Sequence, residues 1–515
     1  MQTKSVIMLI LFCSHPEPGS AQSQKSQIWR IPVSPYFNAG DTESEEQSNI
    51  QPDASRSRDF DELVDPLQSD ETGPSEKRLP TRTIRNSVTT GDLMARIGIL
   101  GSGKESGRWG GGRLSLRGHP GDEPTVSLNG LLVSSGFSGA HSEELIPAIA
   151  VERIRAYPFF PSLNLPQMGI SGGYDFELIY NKQAAAQESA IRIEFPAAFH
   201  LANRTQISCA DSGCLQFSWA GSFFRGATDV VDDHNTPQES RDDTNEAIKF
   251  KDVSRLSAVA NYSADHGHGS QSDSTFLVGA ESRSTSGLPL ASVSEFNRLK
   301  RRLLLLTHRT SHLSPGDGWK ATLRLGARQE SALFQQDLMN NSLQIRDDKR
   351  DESFLSAQGN LSFPFVGIEQ NHLFLLNTSL EASSFKSDVG LVGIKGSPAV
   401  ATDSAFENSK TEGLLHSLSA ASGVRAEIGN SDVLKVLFNL SSNRFSLERV
   451  CGVFSPQVLC EEKKKNSSRN GLGGHFEWRH LLSKDAFFYV QGGQLQRLPR
   501  PIEVAGRPDG VVANP

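Results

Sequence analysis

The sequence predicts a mainly β protein: a small α+β domain followed by antiparallel strands of a transmembrane β-barrel, behind a disordered N-terminal arm. Three observations predict it. Beyond about residue 188, apolar and polar residues alternate with a period of two through roughly a dozen runs of about ten residues. The polar face of those runs carries Lys, Arg, Glu and Gln, which a wet or plugged lumen tolerates and lipid does not. Between residues 86 and 183 the alternation gives way to short mixed segments separated by glycine turns.

The chain opens with a short basic and apolar segment, Lys4 followed by Ser5 to Cys13, and small residues at Gly19-Ser20-Ala21. This pattern predicts a cleaved export signal over 1–21. The alternative is a buried N-terminal strand. Residues 22–85 are polar, rich in Ser, Asp, Glu, Gln and Pro, with no apolar period, and predict a disordered arm.

Segment 86–183 reads as one compact domain. Thr90 to Ile97 predicts a capped short helix. Gly101 to Gly112 predicts a glycine-rich turn. Leu114–Gly118 and Thr125–Gly130 read as strands, Glu143–Ala148 as a helix, and Val151–Tyr157 as a strand.

From 188 to 515 the chain reads as barrel. Trp319, Ala321, Leu323, Leu325 and Ala327 oppose Lys320, Thr322, Arg324, Gly326 and Arg328. Phe374, Leu376, Leu380 and Ala382 oppose Asn377, Ser379 and Glu381, and Leu418, Val424 and Ile428 oppose Ser417, Ser419 and Arg425. A soluble β-sandwich also alternates. Runs of nine or more residues with one continuous apolar face favour a bilayer crossing. The scarcity of tyrosine, 6 against 28 Phe and 5 Trp, weighs the other way, because barrels carry aromatic girdles.

Composition excludes some classes. A net charge of −7 is not the basic balance of a nucleic-acid binder. No stretch is apolar and long enough for a transmembrane helix. Two close cysteine pairs, Cys209 with Cys214 and Cys451 with Cys460, suit loop disulfides in an oxidising compartment. A metal site is the alternative, but neither pair has a CxxC spacing or a nearby histidine. The Asp265-His266-Gly267-His268 loop is weak as a metal motif, and the run GSGKESGRWGGG lacks the spacing of a phosphate loop. No catalytic constellation is visible, so the chain does not read as an enzyme, and no cofactor is expected.

Three motifs in order carry a resemblance. They are Arg113 to Val133 (RLSLRGHPGDEPTVSLNGLLV), Ile146-Pro147 followed by Val151-Glu152-Arg153-Ile154-Arg155, and Ser171-Gly172-Gly173-Tyr174-Asp175-Phe176. The segment 86–183 thereby resembles the plug domain of TonB-dependent outer-membrane receptors. The resemblance assigns structural plug positions to Arg117, Gly118, Asn129, Gly130, Glu152, Arg153, Ile154, Gly172 and Gly173. It implies a Gram-negative outer-membrane location, contact with outer-membrane lipid, an extracellular ligand such as a siderophore, cobalamin or sugar, and coupling to the TonB protein. Asn129 stands where the family has Asp, Tyr157 to Ser162 replaces another family motif, and no coupling box is visible before residue 86. Ligand contacts are expected at Gly101–Gly112 and Ser134–His141.

The tail from Leu498 to Pro515 resembles a stretch from well inside the family's barrel. About 12 strands enclose a radius of only ~12 Å, too narrow for a domain of about 100 residues, whereas ~22 strands accommodate it. The sequence is therefore expected to be a fragment or truncated copy. Three functions compete: a ligand-gated importer, a non-transporting barrel such as an adhesin that kept the plug fold, and a soluble exported β-protein.

Overall fold

The computed structural model describes residues 76–78, 87, 90, 93, 103–108, 112–113, 125–133, 143–157, 173–178, 187–194, 198–210, 213–225, 228–232, 244–248, 252–284, 298–314, 318–337, 345–364, 372–392, 409–428, 431–451, 463–483, 486–494, 498, 500 and 501. The export signal and nearly all of the predicted arm lie outside these residues, as do Arg117, Gly118, Gly172, Cys460 and Ser134–His141.

The first strands are β1 (Glu76–Arg78), β2 (Gly103–Arg108), β3 (Gly112–Arg113), β4 (Thr125–Leu128), β5 (Leu131–Leu132), β6 (Val151–Tyr157) and β7 (Gly173–Leu178). Five of them form one mixed sheet in the order β1-β6-β7-β4-β5. β4 and β7 run parallel, and β6 and β7 antiparallel.

Three expectations change here. β1 falls inside the predicted arm, yet it pairs with β6 as an edge strand of the plug sheet. Its sequence, EKR, has no apolar period, and backbone pairing needs none. The glycine-rich turn contains β2 and β3, paired from Gly103 to Arg113. The helix predicted over Glu143–Ala148 is two 3-10 turns, Glu143–Leu145 and Ala148–Ala150. Pro147 separates them, since it supplies no N–H to a continuing helix.

The remaining strands are β8 (Gln187–Glu194), β9 (Ala198–Ala210), β10 (Gly213–Phe224), β11 (Thr228–Asp232), β12 (Thr244–Ile248), β13 (Val253–Gly267), β14 (Ser270–Ser284) and β15 (Arg298–Leu313). They continue with β16 (Lys320–Asp337), β17 (Ile345–Pro364), β18 (His372–Val392), β19 (Ser409–Ile428), β20 (Asp432–Cys451), β21 (Lys463–Ser483) and β22 (Ala486–Gln494). All but β11 and β12 join one 13-stranded sheet in which spatial neighbours follow chain order. Every pairing in it is antiparallel. β11 and β12 make a separate hairpin within the β10–β13 connection.

The two edges of the sheet differ. Along one, the connections are short: 211–212, 268–269, 314–319, 365–371, 429–431 and 484–485. Along the other they include 225–252, 285–297, 393–408 and 452–462. Cys214 is disulfide-bonded. Its cross-strand neighbour beside the short 211–212 turn is Cys209. Cys451 closes β20 on the long-connection edge.

The outward face carries the apolar side chains. Leu323, Leu355, Leu380, Leu418, Phe438 and Leu472 are all exposed. Their inward neighbours are buried polar groups, among them Thr322, Arg324, Ser379, Ser417 and Ser419. The belt of outward apolar residues does not follow the rows of the ladder. One register row runs Val278, Leu304, Gln329, Ser353, Ser384, Leu414, Ser446, Asn466. In β14 the belt is centred on this row, at Phe276 to Ala280. In β21 it is centred near Glu477, between Leu472 and Leu482, about 11 residues nearer the short turns. At ~3.3 Å per residue and ~4.8 Å per strand over seven steps, the belt crosses the rows at roughly 45°, close to the strand tilt of a barrel. A band level in a membrane must cross tilted strands in this way.

The strands outrun the belt. β17 to β21 are 20 or 21 residues long, about twice what a tilted bilayer crossing needs. In β18 the outward residues pass from Phe374, Leu376, Leu380 and Ala382 to Ser384, Lys386 and Asp388. The half of each long strand nearer the long connections therefore presents mostly polar side chains on its outer face.

Candidate functional site: the plug seat

The plug domain sits against the inward face of β9 to β16, and three kinds of contact hold it.

The first is a hairpin turn. Asn129 and Gly130 have φ of 51° and 79°, the successive left-handed pair that a two-residue hairpin between β4 and β5 requires. Gly130 N–H donates to Asp175 Oδ1 at 2.8 Å, and Ser127 Oγ donates to the same oxygen at 2.7 Å. Asn129 Oδ1 accepts from Leu178 N–H at 3.0 Å, while Asn129 Nδ2 donates to Thr275 Oγ1 of β14 at 3.2 Å. The Thr275 proton is committed to Asn261 Oδ1 at 2.8 Å. Thr275 must therefore accept from residue 129, and an amide can donate where a carboxylate cannot. Asn129 therefore makes a bond that an Asp at this position could not. At Gly130 an added Cβ would lie 3.0 Å from Arg324 Nε of β16.

The second is a buried charge cluster. Glu144, in the first 3-10 turn, lies 3.2 Å from Arg255 of β13 and 3.6 Å from Arg283 of β14. Arg255 also reaches Glu281 at 2.6 Å. The Arg255, Glu144 and Glu281 side chains are at most 4% exposed. Glu144 is thus the carboxylate that the plug brings to two wall arginines. Further round the wall, Arg328 of β16 pairs with Glu352 of β17 at 2.6 Å, stacks 5.4 Å over the Phe354 ring, and donates to the carbonyl of Val133 at the end of the plug hairpin.

The third is apolar. Val259, Leu277, Leu303 and Leu305 point inward from β13, β14 and β15 and share one core with Val126, Leu128, Leu145, Ile154 and Phe176 of the plug. Ile149 packs on Ala202 and Ala220 of β9 and β10. Two inward glycines make the approach close. A Cβ on Gly279 would lie 2.9 Å from Leu145 Cβ, and one on Gly326 would lie 3.2 Å from Leu131 Cδ1.

No family model and no curated protein matches the sequence. Solved structures do resemble it. The ferric-catecholate import receptor Fiu from E. coli K12, in its open form, matches over 82% of this chain and 70% of its own, at TM-score 0.58 and 10% identity. The ferric yersiniabactin uptake receptor FyuA from Yersinia pestis matches over 81% and 63%, at 0.60 and 10% identity. The copper transporter OprC matches over 81% and 62%, at 0.61 and 11% identity. The chain has the fold of these receptors. It spans between 62% and 70% of their length.

Within this TonB-dependent receptor fold, the sequence motifs fall unevenly. Asn129 and Gly130 form the seated turn. Ile154 is fully buried in the plug core, and Gly173 starts β7. Arg153 lies 3.6 Å from Glu177 on the neighbouring strand, and Glu152 is half-buried beside it. Glu144, Arg255, Glu281, Arg283, Arg328, Gly279 and Gly326 were not singled out from sequence as members of a seat. Alternation placed two of them, Gly326 and Arg328, on the polar face. Only the register shows which meet the plug. Among the described residues no cluster of His, Cys, Asp and Glu is grouped to hold a metal.

Proposed function

We propose that the protein is an outer-membrane receptor that takes up a small ligand, such as a siderophore, cobalamin or sugar, through a TonB-coupled movement of the plug. The observation that carries this reading is the plug seat. A domain held in a barrel lumen by one carboxylate shared between two wall arginines, with glycine-floored apolar contacts, is held firmly yet has a defined way to let go. On this reading residues 1–21 are a cleaved export signal, 22–85 an arm of which β1 is the anchored end, 86–183 the plug and 188–515 barrel. The short connections face the periplasm and the long ones the medium.

The test uses a strain lacking the gene and a panel of ferric siderophores, cobalamin and oligosaccharides, each as limiting nutrient. Uptake of one solute should return with the intact gene. It should fall when Leu145→Cys and Gly279→Cys are oxidised together to pin the plug, and recover on reduction. Uptake unchanged across the panel, or unimpeded by the pinned plug, sinks the proposal. The absence of a visible coupling box favours a second reading, a non-transporting barrel that kept the plug. Crosslinking of the arm to TonB would count against that alternative.

A further inference from the structure

We propose that the outer face of β15 to β20 carries a binding site for one phosphate-bearing membrane lipid, with an acyl chain in a groove and the phosphate on Arg444. The inference rests on the membrane reading above.

A groove of about 850 Å³ opens on this face, within the size range of sites that hold a whole small ligand. Its floor is made shallowly apolar by outward Ala327, Ala357 and Ala382, one each on β16, β17 and β18. Leu355, which pairs with both Ala327 and Ala382, and Leu380, which pairs with Ala357, stand proud of this floor, 62% and 58% exposed. The small alanines beside these leucines leave an apolar depression on a face that carries exposed apolar side chains.

The long-connection end of the groove is cationic. Arg444 of β20 and His416 of β19 line it and face each other in register. Both are exposed. On the other side Arg444 faces Ser468, so no carboxylate stands opposite it on either neighbouring strand. Two other outward cations of this wall differ. Lys386 is 3.0 Å from Glu412, and Lys464 is 3.5 Å from Glu448. Arg444 lies two outward positions beyond Leu440, where the apolar belt of β20 ends. Headgroup phosphates lie at that boundary, and a guanidinium binds phosphate through paired N–H donors. The cation and the groove thus match the two ends of one lipid molecule.

The experiment measures lipid phosphorus retained per protein after extraction of outer membranes in mild detergent and exhaustive washing. Wild-type protein should retain about one phosphate-bearing lipid. Arg444→Ser should retain it about fivefold less well. Ala357→Leu with Ala382→Leu, which fills the groove and leaves Arg444 in place, should also lose it. Lys464→Ser should retain it, and inorganic phosphate should not displace it. Equal retention by all four proteins overturns the site, as does displacement by inorganic phosphate. Heat-modifiable migration on gels checks that each variant is folded. If the wild-type protein is recovered in the soluble fraction without detergent, the membrane reading itself has failed. If it needs detergent but retention does not depend on Arg444 or the alanines, only the lipid site has failed.

Discussion

The inner surface of the barrel wall has two unlike halves. From β13 to β16 it is built to hold something: guanidiniums at Arg255, Arg283 and Arg328, apolar knobs at Leu277, Leu303 and Leu305, and glycines where the plug comes closest. From β17 to β20 several inward polar side chains bond one another across the strands. Ser379 bonds Ser419 at 2.7 Å, Ser417 bonds Asn443 at 2.7 Å, and Ser387 bonds Asp348 at 3.1 Å. The same period-two strand produces both. What differs is whether the polar groups of the wall are completed from within the wall or by a second domain, and this decides which substitutions will disturb the plug.

The sharpest test compares two arginines. Arg255→Leu leaves Glu144 and Glu281 buried with reduced compensation and should weaken plug retention by about 3–5 kcal/mol. Arg425→Leu on β19 frees Glu427, whose side chain is 29% exposed and reaches water, and should cost about 1 kcal/mol. The urea midpoint at which protease first reaches the plug reads both. Equal effects would erase the distinction between the halves.

A second test uses the glycines. Gly279→Val drives methyl groups into Leu145 and should cost about 1–3 kcal/mol by overpacking. Gly359→Ala, a control on the outward face of β17 where the added carbon meets only Thr378 Oγ1 at 3.5 Å, should shift the same midpoint by no more than about 0.5 kcal/mol.

The mildest test is Asn129→Asp. It restores the residue typical of the plug family and sets a carboxylate oxygen against the occupied Thr275 hydroxyl. A loss of about 1–2 kcal/mol is expected. Thr275→Ala, which removes the oxygen that Asn129 donates to, should narrow the gap between Asn and Asp at 129. If Asp proves as stable as Asn in the wild-type background, Thr275 does not select the amide.

These contrasts also mark how far the sequence could be read. Alternation in runs such as Trp319 to Arg328 placed each side chain on its face, because a strand permits only two sides. The plug's strands were legible at Val151–Tyr157 and around Asn129-Gly130, where turn chemistry is local. The seat was not legible. Arg255 and Glu281 are 26 residues apart, and Glu144 is 111 from Arg255. Nothing in one strand states its register with the next. β1 was missed for a related reason, since an edge strand held by backbone bonds needs no apolar signal. Glu143–Ala148 has the composition of a helix, but Pro147 breaks it into two 3-10 turns.

The extra length of β17 to β21 has a consequence for encounter rates. About ten residues of each strand stand beyond the apolar belt, and at the barrel tilt they raise the rim by roughly 20–25 Å. That is more than two Debye lengths at physiological salt. Charges on the rim are therefore screened from charges at the lipid surface. A diffusing solute would feel the field of the rim before that of the membrane, and the sign of that field can be altered by substitution without changing how the wall sits in lipid.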